Sequence, residues 1–134
     1  MEQKDSAEAA ETYIGRVQNP DEWATAVKTT YDFLVGVATE GGKAEYGDVY
    51  RQVEAATGMK VGPYQDEDLL REVTEKSIAS HSGVLSSLVI NKKTRQPGKG
   101  FFKLIAEKGL ADLKAEPRPA IVRRLQKECW AANT

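Results

Sequence analysis

The sequence predicts a mainly α-helical domain with a small antiparallel β-sheet. Five stretches repeat apolar residues at helical spacing, bounded by glycine, proline or capping residues. One run, residues 84–90, reads instead as a short buried strand, with Val84, Leu85, Leu88, Val89 and Ile90 as its apolar residues. A basic segment containing Pro97, Gly98 and Gly100 follows it in the position of a hairpin. At 134 residues, 40% hydrophobic and 29% charged, the chain is one domain of ordinary size, long enough to bury a core without staples.

Residues 1–18 are polar and charged and read as a tail, with Tyr13, Ile14 and Val17 able to form a helical turn. The domain occupies residues 19–134. Asn19-Pro20-Asp21-Glu22 is a helix start: Asn19 can cap, Pro20 suits the first helical position, and the acids favour the positive helix end. Trp23, Val27, Thr30 or Tyr31, Leu34 and Ala38 then form an apolar stripe that Gly41-Gly42 stops. Lys43-Ala44-Glu45-Tyr46 is short and extended. Gly47-Asp48 opens a second helix with Val49, Val53 and Ala56, ending near Gly58. A connector with a turn at Gly62-Pro63 leads to a third helix from about Asp66 to His81, with Leu69, Leu70, Val73 and Ser77 inward, ended by Gly83. The strand and hairpin come next. The strand's partner is the piece after Gly100, the piece near Tyr46, or both. Phe101, Leu104, Ile105 and Leu110 mark a fourth helix to about Leu113. Glu116-Pro117-Arg118-Pro119 starts a fifth, with Ile121, Leu125 and Cys129 inward and Trp130 as a terminal anchor.

This order is that of a winged helix-turn-helix with additional N- and C-terminal helices. No apolar run approaches the roughly 20 residues that span a bilayer, and no membrane contact is expected. The N-terminal residues lack the apolar core of a secretory signal. Cys129 is the only cysteine, which excludes an internal disulfide and suits a reducing, cytoplasmic setting.

Two stretches carry a resemblance. Ala44-Glu45-Tyr46-Gly47-Asp48-Val49 resembles the x-T-Y-G-x-L/I lead into the helix-turn-helix of alkyltransferase-like winged-helix domains. Residues 85–101, LSSLVINKKTRQPGKGF, resemble the segment P-L-L-S-A-L-V-V-N-K-x-T-G-x-P-G-x-G-F of uncharacterised bacterial and phage proteins of the same winged-helix class. The resemblance implies a fold more than an activity. The O6-alkylguanine-DNA alkyltransferases carry a reactive Cys in a Pro-Cys-His-Arg-Val segment. Laid on that segment, Ser86 takes the Cys place and Ser87 the His place. A serine without a base beside it is a poor nucleophile, so alkyl transfer is not expected.

The candidate sites follow from charge and aromatic placement. Residues 91–103 hold Lys92, Lys93, Arg95, Lys99 and Lys103 and no acid. Such a segment fits a wing laid along phosphates, each cation contributing by counterion release; the plainer alternative is a solvated turn. Tyr46 and Tyr50 lie near the expected duplex, where an exposed ring can stack on a base; half-buried packing is the commoner role of tyrosine. Tyr64 belongs to the same stretch. The third helix argues against standard groove docking, because residues 66–76 hold five acids against Arg71 and Lys76. His81 reads as a helix C-terminal cation, and one His with one Cys makes no metal site. Arg118, Arg123, Arg124 and Lys127 can extend a basic surface.

The expected function is non-catalytic binding of nucleic acid, DNA foremost, through the basic wing, with no metal and no cofactor. The alternative is a protein-interaction module of the same fold that has lost DNA binding and faces a basic partner protein with its acidic third helix. A net charge of −1 argues against a general polyanion sponge but leaves room for a local basic patch. Oligomeric state is not legible.

Overall fold

The structure, a computed structural model, describes residues 13–134. The described residues form five α-helices and two very short strands. Their order is α1 (Pro20–Thr39), β1 (Ala44–Glu45), α2 (Tyr46–Thr57), α3 (Gln65–Ala79), a 3-10 helix η1 (Leu85–Leu88), β2 (Val89–Ile90), α4 (Lys99–Glu107) and α5 (Arg118–Ala132). None of the helices is long and apolar enough to cross a membrane.

The longest helix, α1, is the post on which the others lean. Pro20 takes its first turn with Asp21 and Glu22, as the sequence predicts. Asn19 stands at the N-cap, but its side chain donates to the Tyr13 carbonyl (3.3 Å) instead of capping the helix. Trp23, Ala26, Val27, Thr30, Leu34 and Ala38 are buried, and α2, α3 and η1 pack on α1. Helices α2 and α3 each lean mainly on α1 rather than on one another. Residues 58–64 separate them, more than the three or four residues of a helix-turn-helix. Residues 13–18, expected as part of a tail, are docked: Ile14 is fully buried and its N–H bonds to the Lys60 carbonyl (2.8 Å). The rest of that tail lies outside the described residues.

The segment after α3 departs most from expectation. The sheet is parallel, not antiparallel: β1 pairs with β2, Ala44 opposite Val89 and Glu45 opposite Ile90. No hairpin forms, and the piece after Gly100 is the first turn of a helix rather than a return strand. Phe101, Phe102, Leu104 and Ile105 are buried at helical spacing, so one helical face serves them where a strand would have pointed alternate residues to solvent. Residues 84–90 are buried on every side. Most of that run coils into η1 and only Val89 and Ile90 find a strand partner, because a continuous apolar run does not by itself distinguish strand from buried helix. The fourth helix ends at Glu107, short of Leu113, where Gly109 takes a left-handed φ of 69° and the Leu110 N–H returns to the Ile105 carbonyl (2.9 Å).

Helix α3 closes with the same geometry but without glycine. His81 has φ 60°, and the Ser82 N–H reaches the Ser77 carbonyl (2.8 Å). Two residues on, Gly83 has φ 80° and lies against α5; a Cβ there would stand 2.8 Å from the Cys129 Cα. Val84 joins Phe101, Phe102, Ile105, Ile121, Val122 and Leu125 in a core layer between α4 and α5. The Trp130 indole N–H donates to the Gly42 carbonyl (2.9 Å), so the expected terminal anchor holds α5 to the end of α1.

Gly83→Ala should therefore lower stability by about 2–4 kcal/mol, from left-handed strain and from backbone overlap with α5 together. A denaturant titration followed by circular dichroism measures it. His81→Gly, which relieves the same backbone conformation in an exposed residue, should raise stability by about 0.5–1 kcal/mol.

Candidate functional site

A cleft of about 370 Å³ opens where α2, α3, η1 and the start of α4 meet. That size falls in the ~300–1,000 Å³ range of small-molecule sites. The helix that follows β1 begins with Tyr46, and Tyr50 stands four residues on, so both rings project from one face of α2. Their centroids are 6.5 Å apart. Asp66, Glu67, Leu70 and Arg71 come from the first two turns of α3. Ser86 comes from η1, Asn91 from the end of β2, and Gly98, Lys99, Gly100, Phe101 and Leu104 from the rim loop and α4.

The polar groups of the cleft are linked to one another. The Gly98 N–H donates to the Tyr46 hydroxyl (2.8 Å), which fastens the loop before α4 onto α2. The Tyr50 hydroxyl donates to Asp66 Oδ2. Burial pushes the Asp66 carboxyl above its ordinary value, although the bond from Tyr50 works the other way. Burial, then the bond to Asp66, hold the Tyr50 phenol well above the ordinary tyrosine range. Burial also raises Tyr46, against the bond from Gly98. At the floor, Ser86 is 3% exposed and accepts from the Thr74 hydroxyl (2.6 Å). With Thr74 donating, the Ser86 hydroxyl keeps its own proton to donate elsewhere.

The sequence-predicted residues divide between the cleft and its rim. Tyr46 and Tyr50 line the cleft as half-buried walls, and their hydroxyls are engaged internally, so neither is a freely exposed wedge. Tyr64 is elsewhere, 84% exposed. The basic segment forms one rim, as a compact turn rather than a wing. The Asn91 N–H bonds to the Gln96 carbonyl (2.9 Å), the Arg95 N–H to the Asn91 carbonyl (2.8 Å), and Asn91 Oδ1 accepts the Lys93 N–H (2.9 Å). Arg95 has φ 59° and pairs with Glu45 (3.0 Å). Lys92, Lys93, Lys99 and Lys103 are exposed and make no ion pair among the described residues.

The acids of α3 are largely spent inside the molecule. Asp66 meets Tyr50, Glu72 accepts the Trp23 indole N–H (3.3 Å), and Glu75 pairs with Lys108 (3.7 Å). Arg71 pairs with Glu107 (3.0 Å) across to α4. Sequence reasoning did not bring Asp66, Glu67, Leu70, Ser86 and Phe101 to the tyrosines; only the four-residue spacing of Tyr46 and Tyr50 was there to signal a shared face.

Neither the histidine nor the cysteine of the chain lines the cleft. His81 lies past the far end of α3, whose last residue, Ala79, is about 12 Å of helix rise beyond Arg71. The Cys129 thiol is buried, donates to the Ser82 carbonyl (3.5 Å), and is pushed up to about 11 by that burial. Comparisons with protein-family models, with curated proteins and with solved structures find no match to this chain.

Two pH effects should follow from the Tyr50–Asp66 pair. In an alkaline absorbance titration of the folded protein, Tyr46 and Tyr50 should ionise above the ordinary phenol value of 10.0, and Tyr50→Phe should remove one of these late steps. For Asp66 the folded carboxyl binds its proton more tightly than the unfolded one. Its contribution to stability therefore improves as pH falls from above its raised value toward the ordinary carboxylate range, and worsens as pH rises. Asp66→Asn should flatten that dependence in thermal melts taken across the window.

Proposed function

We propose that this protein binds DNA without catalysing a reaction on it, gripping the backbone with its basic turn and receiving one unstacked base in the adjoining cleft. The observation that carries this reading is the shared boundary of the two features. Asn91, Gly98 and Lys99 belong to the basic segment and also line a cleft walled by Tyr46, Tyr50 and Phe101. Unpaired lysines attract phosphates by counterion release, and aromatic walls take any base by its face. A backbone held at the rim places its bases within reach of the cleft. The resemblance of residues 85–101 and of the Tyr46 region to alkyltransferase-like winged-helix domains supports the same reading, with a turn in place of the wing and α2 and α3 as a spread helix pair. Ser86 in the position of the reactive Cys leaves binding without transfer.

Arg95 serves the reading indirectly. Its pairing with Glu45 shapes the turn, so Lys92, Lys93, Lys99 and Lys103 are the phosphate contacts. The competing picture, a protein-interaction module facing a basic partner with α3, is less supported because most of the α3 acids already have partners in the fold.

Fluorescence anisotropy with a labelled duplex tests the proposal. Four phosphate contacts correspond to a salt slope of about −3.6, so affinity should fall about 150-fold between roughly 50 and 200 mM salt. Lys92→Glu/Lys93→Glu should weaken binding by at least about tenfold at low salt. Absence of binding at low salt would sink the proposal.

A further inference from the structure

The cleft carries negative as well as aromatic groups, and this sets a preference among the bases it can receive. Asp66 and Glu67 both line it, against Arg71, which Glu107 already holds, and Lys99 at the rim. Glu67 makes no ion pair among the described residues; its Cγ lies 2.8 Å from where a Gly100 Cβ would stand, so the absence of a side chain at residue 100 lets α4 begin against it. Asp66 accepts Tyr50 on one oxygen, and a carboxylate retains further acceptor sites after one such bond. Beside these acceptors the lining offers neutral donors in the Ser86 hydroxyl, 3% exposed and with its proton unclaimed by Thr74, and in the Asn91 side-chain amide.

We propose that Asp66 and Glu67 make the cleft selective for bases bearing an exocyclic amino group, and that thymine is disfavoured. The inference rests on the base-receiving reading of the cleft given above. Cytosine, adenine and guanine each bring an amino group that can donate to a carboxylate, together with a ring nitrogen or carbonyl that can accept from Ser86. Thymine has no amino group, and its single N–H is flanked by two carbonyl oxygens. In this cleft those oxygens meet carboxylate lone pairs, acceptor against acceptor, where an amino group would donate. Glu67 is the more adaptable selector, being exposed at the mouth, whereas Asp66 is held by Tyr50 deeper in.

The test uses the full chain and four labelled duplexes of one sequence context, each with a single unpaired cytosine, adenine, guanine or thymine, beside the fully paired duplex. Each amino-bearing unpaired base should raise affinity over the paired duplex, and unpaired thymine should bind about tenfold more weakly than unpaired cytosine. Asp66→Asn and Glu67→Gln keep the side-chain shape. Either should reduce the cytosine-to-thymine ratio severalfold, whatever its common effect on phosphate attraction, and Glu67→Gln does so from an exposed site that leaves the fold intact. Equal gains for all four unpaired bases, tighter binding of thymine, or an unchanged ratio in both variants overturns the selectivity while leaving the DNA reading standing. No gain for any unpaired base removes the base from the cleft, with salt-dependent binding of the paired duplex still supporting the backbone contacts. Absence of binding to every duplex removes both.

Discussion

Burying residues 84–90 on every side is the constraint from which the rest of this structure follows. A chain segment without water must find partners for its backbone groups within the protein. Here they come from four places. The Ser87 N–H turns back to the Val84 carbonyl (2.9 Å), the Ser87 carbonyl accepts the Gln126 amide (2.9 Å) from α5, and the Leu85 N–H meets Ser77 Oγ (3.4 Å) from α3. Val89 and Ile90 pair with β1. Just before the run, the Ser82 carbonyl accepts the Asn133 side chain (2.9 Å). The segment thus joins α3, α5 and β1; Ser86 accepts from Thr74 of α3, whereas the Ser87 hydroxyl is buried without a hydrogen-bond partner. Ser86 is the member that turns toward the cleft.

The parallel pairing of β1 with β2 has a geometric outcome for the site. In an antiparallel hairpin the basic residues would stand at a tip, away from the body. With β2 running beside β1, the chain leaves the sheet next to the first turn of α2, and the Gly98 N–H meets the Tyr46 hydroxyl there. The positive segment is therefore pinned along a concave surface at two points, Tyr46 and the Glu45–Arg95 pair, both at the β1–α2 junction.

Much of the helical framework was legible in the residues themselves. Pro20, Gly58 and Pro119 act at the boundaries where their backbone preferences put them, and the buried faces of α1, α3 and α5 follow the 3.6-residue period. The sheet was not legible. Five apolar residues interrupted by Ser86 and Ser87 fit strand and buried 3-10 helix alike, and only the neighbours on all sides decide between them. The basic segment was read as a wing from its glycines and proline, but Asn91, through its own side chain, closes the turn locally before a return strand can start. Of the cleft, Tyr46 and Tyr50 were visible as candidates. Asp66 and Glu67 looked like helix-dipole acids, and in position they are; that two of them also line a cavity depends on how α3 leans on α1, which no local pattern records.

The contact of Gly83 with the Cys129 backbone has a consequence for the chain before it is fully folded. Gly83 fixes α5 over the run VLSSLVI, which has no charge, no proline and no glycine, and is rich in β-branched and leucine side chains. Such a run, if uncovered, is a template for intermolecular β-assembly. Helix α5 is made after it, so during synthesis the run waits for its lid. Helix α5 thus covers a run whose composition favours aggregation when it is exposed, and a chain shortened before Arg118 should aggregate more readily as well as lose part of its core.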